Sequence, residues 1–130
     1  MDTKQLLYSN EFKVEVEGGN KLSHLVKSVH FDFVKSEVRI SFYETKRLDV
    51  LNFLQDWSAP KDIIIWMGDE ARGLRFKNCV AVLYAFDDLG NTFFEYDEDD
   101  IEENKGYIVD VSILIKFAKF EVVEGKYEGE

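Results

Sequence analysis

The chain has one cysteine, Cys79, and one proline, Pro60, in 130 residues. A single thiol cannot build an intrachain disulfide framework. Its place in an apolar, alternating run predicts a buried, inert side chain. There are only two histidines, His24 and His30. Read on one strand, they lie about 20 Å apart by strand rise, too far to share a metal ion. Glycine is sparse as well: Gly18-Gly19 and the isolated Gly68, Gly73 and Gly90 lack the spacing of a phosphate-binding loop. No apolar run is longer than a strand, so nothing reads as a signal peptide or a membrane-spanning helix. Together these absences predict a soluble chain made in a reducing cytoplasm. Basic residues are scarce too, 16 against 26 acidic, for a net charge of −10. Such a balance disfavours tight binding to phosphate backbones or anionic lipid. It suits a surface past which DNA slides without sticking, and equally a small protein that is merely kept soluble.

Apolar side chains, by contrast, are plentiful: 45% of residues are hydrophobic and eleven are Phe. That supply fills one core and predicts a single domain over residues 1–130, with its core at about 11–122. The dominant period is two. Phe12, Val14 and Val16 alternate with charged residues and stop at Gly18-Gly19-Asn20. Leu25, Lys27, Val29, Phe31 and Phe33 mark one face of a second strand, and Val38, Ile40 and Phe42 a third. Lys35-Ser36-Glu37 between them is the length of a tight hairpin. The period then changes between Thr45, a fitting N-cap, and Trp57. This segment predicts one helix, packed on a sheet through Leu51, Leu54 and Trp57 and ended by Ser58-Ala59-Pro60.

Strands resume with Ile63–Met67, apolar on both faces as in a covered strand. Leu74–Phe86 follows, with Phe76, Val80, Val82, Tyr84 and Phe86 on one face. A short run Thr92–Tyr96 comes next, then a long run from Tyr107 to Val122. Seven or so strands with one helix predict a mainly β fold: an antiparallel sandwich or partly open barrel with a flanking helix.

Residues that could carry chemistry are few. The stretch Glu95–Glu103 includes Asp97, Glu98, Asp99 and Asp100, but it lacks the glycine and spaced ligands of a calcium loop. It reads as a solvated loop or as a charged surface facing a partner or a channel. No metal, no cofactor and no enzymatic activity are expected. The long strands raise a different point, because a free strand edge recruits another chain.

In order, Phe12–Val16, Leu25–Val29, the strand-to-helix unit Val38–Tyr43 into Asp49–Trp57, Leu74–Cys79, the Tyr96-Asp97 loop and the closing strand Ile108–Phe120 resemble the tail tube proteins of contractile bacteriophages. That family is related in fold to the tube protein of the type VI secretion system. The resemblance implies hexameric rings whose sheets join into one barrel. Rings then stack into the inner tube of a virion tail, assembled in the host cytoplasm beside sheath and baseplate proteins, and DNA passes through without specific binding during ejection. Family members carry a longer connection between the second and third strands, so a tube-like baseplate, initiator or adaptor protein at a tube end is an alternative. From a different class, a small β-barrel ligand-binding module also fits the strand pattern.

Overall fold

A computed structural model describes residues 12–17, 22–67, 72–88 and 109–125. Its elements are β1 (Phe12–Val16), β2 (Val26–Asp32), β3 (Glu37–Tyr43), α1 (Asp49–Gln55), β4 (Lys61–Met67), β5 (Arg72–Asp88), β6 (Val109–Lys116) and β7 (Lys119–Glu124). A single 3₁₀ turn, Ser23–Leu25, precedes β2. The predicted strand at Thr92–Tyr96 and the acidic stretch Glu95–Glu103 lie outside the described residues.

The seven strands form one open antiparallel sheet in the order β1-β4-β5-β6-β3-β2, with β7 also paired to β5. β5 is the spine. In its first half, Gly73 to Cys79 pair with β4 on one side, and Arg72 to Lys77 pair with β7 on the other. Its second half, Val80 to Asp88, pairs with β6. The sheet therefore has a lower limb (β1, β4, the first half of β5, β7) and an upper limb (the second half of β5, β6, β3, β2).

Apolar alternation fills the core from both limbs. Val14, Val16, Ile63, Ile65 and Phe76 come from the lower limb, and Val38, Ile40, Phe42, Val111, Ile113 and Ile115 from the upper. The outermost strands also meet: the Phe12 ring of β1 stands edge-on to Phe31 of β2, with centroids 5.6 Å apart.

Strict alternation along β5 fails twice, at Asn78 and at the bulge between Leu83 and Ala85, which sets Phe86 out of phase with Val82. Phe76 and Cys79 are both fully buried, whereas Val80 and Val82 turn outward. Asn78 lies between them in the left-handed region, φ 55°, a conformation asparagine tolerates better than most residues. Its backbone N–H is held by the Asp62 carboxylate at 3.1 Å. The β6–β7 strand changes phase at the same level, so that Ile115, Phe117 and Phe120 successively serve the aromatic cluster around Phe76. Phe76 and Val80 thus do not share a face, as uninterrupted alternation predicted. The expected strand from Tyr107 to Val122 is two strands joined at Phe117-Ala118.

The helix is shorter than predicted, Asp49–Gln55 in place of Thr45–Trp57. Leu48 adopts φ 59°, a left-handed turn that sets the start. Thr45 still contributes, its hydroxyl accepting from the Asp49 amide at 3.2 Å. Glu44 supplies the main cap, its carboxylate accepting from the amides of Val50 at 2.9 Å and Leu51 at 3.0 Å. The helix buries Val50 and Phe53 completely or nearly so, and Trp57 just beyond its end. Leu51 and Leu54 pack only partly against the core. His24 sits in the 3₁₀ turn and not in a strand.

Candidate functional site

β4 pairs with β5 only as far as Lys61 opposite Cys79. From Val80 to Asp88 the edge of β5 away from β6 has no strand partner among the described residues. That half-strand is also apolar on both faces. Val80 and Val82 lie outward beside Lys116 and Leu114; Leu83 and Phe86 lie on the core side beside Ile113 and Val111. All four, and Tyr84, are 45–55% exposed. Scattered exposed apolar residues are ordinary, but here five lie on one nine-residue ribbon whose backbone edge is also open among the described residues.

The edge has a defined shape. A bulge between Leu83 and Ala85 leaves Tyr84 unpaired with β6, and the Tyr84 ring carries the Arg39 guanidinium at 5.0 Å. The opposite border of the upper limb, β2, has its own bulge between Val26 and Ser28. The two irregularities flank one row of the sheet, Ser28–Ser41–Ser112–Ala85, where the Ser41 and Ser112 hydroxyls hydrogen-bond at 2.9 Å. Each bulge adds one residue and local twist, so the two borders curve in step. The limb has four strands of alternating direction, so its borders β2 and β5 run opposite ways.

The outward face of this limb carries charges of both signs. Lys27, Arg39 and Lys116 share it with Asp32, Glu37 and Asp110. Lys27 pairs with Asp110 at 2.8 Å, and Glu37 stands opposite Lys116 in the ladder. Across the body, the described residues hold thirteen acidic and twelve basic side chains, the remainder of the chain thirteen and four. Seven of those acids fall in Glu95–Glu103, the stretch containing Asp97, Glu98, Asp99 and Asp100. These four residues lie outside the described residues.

The interior offers little to a ligand. The void between Val16, Ile40, Phe53 and Trp57 is about 10 Å³, the size of one water probe. Burial lifts the Cys79 thiol to about 12, which removes it as a nucleophile at neutral pH. Among the described residues no three His, Cys, Asp or Glu side chains gather as metal ligands, and no helix is long and apolar enough to cross a membrane. Sequence reasoning expected the long strands to need edge partners; what it missed is that the unpaired part of β5, among the described residues, is its second half. No known protein family matches the chain, and no curated protein matches it.

Proposed function

We propose that this chain is a structural subunit without catalytic activity, which joins copies of itself edge to edge into rings and, as the resemblance to contractile tail tubes implies, stacks as hexamers into a DNA-conducting inner tube. The observation that carries this reading is the second half of β5: an edge with no strand partner among the described residues, apolar on both faces from Val80 to Phe86.

The two limbs are read as a half-open sandwich that closes only in an assembly. Rotating one copy onto the next brings β2 of the neighbour beside β5, and the opposite directions of these borders make the new ladder antiparallel. Such a contact is heterologous, one surface meeting a different one, and it yields a closed ring when the rotation closes. Closure satisfies every edge of the upper limb and turns its outward face toward a central channel. The paired charges on that face offer a polyanion no net positive track, so DNA gains little by lingering there.

One observation favours a place at a tube end over the tube body: the β2–β3 connection is the four-residue turn Phe33–Ser36, too short to reach an adjacent ring. Electron microscopy of the purified chain, alone and with other tail proteins, tests the proposal. Rings or stacked rings are expected. Discrete monomers at high concentration in both samples would overturn it.

A further inference from the structure

β1 is also a border strand among the described residues, yet its edge is blocked at its middle residue. Lys13 and Glu15 lie opposite Trp66 and Ile64 of β4, and the far end is pinned where the Glu17 amide donates to the Asp62 carbonyl at 3.0 Å. Phe12, Val14 and Val16 aim their backbone groups the other way. At the middle of these, Val14, a single side chain takes both: the Ser23 hydroxyl accepts from the Val14 amide at 2.9 Å and donates to the Val14 carbonyl at 2.6 Å. A residue on an adjoining antiparallel strand would make the same pair of bonds. Ser23 is 7% exposed and is the one buried polar side chain among the described residues. A buried hydroxyl persists where its bonds are complete, and here both are spent on one backbone residue nine positions away.

We propose that Ser23 is an edge lock: its hydroxyl occupies the place of a neighbouring strand on β1 and thereby directs association between copies to the upper limb. The lock sits on the 3₁₀ turn that leads directly into β2, so it also fastens the lower limb's border to the start of the upper limb's border. A second copy adding to β1 must first displace it, and the other outward groups of this five-residue strand are too few to compensate. The lock rests on the ring reading for its purpose but not for its chemistry.

The test separates the two. Light scattering after size-exclusion chromatography compares five chains: native, Val82→Lys/Tyr84→Lys, Ser23→Ala, and the edge-charged chain with Ser23→Ala or Ser23→Thr added. Charges on an edge suppress strand addition, so the Val82→Lys/Tyr84→Lys chain is expected as a monomer, and its continued assembly would sink the ring reading alone. Adding Ser23→Ala to it should restore concentration-dependent association through the opened β1, while adding Ser23→Thr, which keeps the hydroxyl, should not. A Ser23→Ala chain whose association state never differs from its parent's would overturn the lock. Amide exchange on the unmodified protein gives a readout that survives a misfolded variant. The Val14 amide should exchange at least tenfold more slowly than an open edge amide of β2, and a rate equal to that edge would overturn the lock as well.

Discussion

The indole Nε1 of Trp57 donates to the backbone carbonyl of Cys79 at 3.1 Å, tying the residue that ends the helix to the bend of the longest strand. The Trp57 ring also meets Phe53 edge-on, with centroids 5.4 Å apart. Trp57→Ala should therefore lower unfolding stability by about 3–5 kcal/mol, measured by urea titration. Trp57→Phe keeps most of the apolar area but orphans the Cys79 carbonyl, and should cost about 1–3 kcal/mol. Equal, small effects of both would show that the helix end is not packed as described.

Glu44 offers a cleaner electrostatic case. Its carboxylate accepts from two first-turn amides and from the Thr45 amide at 2.8 Å. Glu44→Ala leaves the Val50 and Leu51 donors without that acceptor, for an expected loss of about 1–3 kcal/mol. Glu44→Gln retains an acceptor oxygen and should fall between the two. Thermal unfolding followed by circular dichroism distinguishes them.

The Cys79 thiol gives a pH dependence whose sign can be worked out. Its folded value, about 12, lies above the ordinary 9.0, chiefly because burial opposes the thiolate. Between those values the native state holds the proton and the unfolded state releases it. Stability tied to this group is thus complete below pH 9.0 and declines as pH rises toward about 12. Cys79→Ala should flatten that alkaline decline. At pH 8 the native thiol should resist alkylation until the protein is unfolded in urea.

At the free edge, Val82→Lys/Tyr84→Lys should leave the fold intact, because both side chains are more than half exposed. A stability change within about 0.5 kcal/mol is expected for such surface positions. Ring formation should be lost. Retained rings would place the contact elsewhere.

Much of the fold was legible in the sequence because Phe12 to Val16 and Val38 to Phe42 alternate cleanly and one face of each is buried. The helix was legible by its change of period, but not its start: Leu48 in a left-handed turn has no local signal, since leucine rarely adopts it. Val50 and Trp57 of the expected stripe are buried, with Phe53 deeper than Leu51 and Leu54, which pack against the core only in part. In β5 the phase change was signalled only by Asn78, a turn-prone residue inside an apolar strand, with Phe76 and Cys79 three apart. The free edge was legible only as a long strand in need of partners, not in its position. Val80, Val82 and Phe86 have the same pattern whether or not a strand covers them, and the extent of edge left unpaired among the described residues follows from where β4 stops, at Lys61.

Because β5 belongs to both limbs, a load applied to its upper half is carried into its lower half along one continuous backbone. A copy bound at Val80–Asp88 would pull on the strand that anchors Phe76 and its aromatic neighbours. Tension between subunits would then be borne as shear on two ladders at once, and the deepest part of each subunit would serve as the mooring of the next.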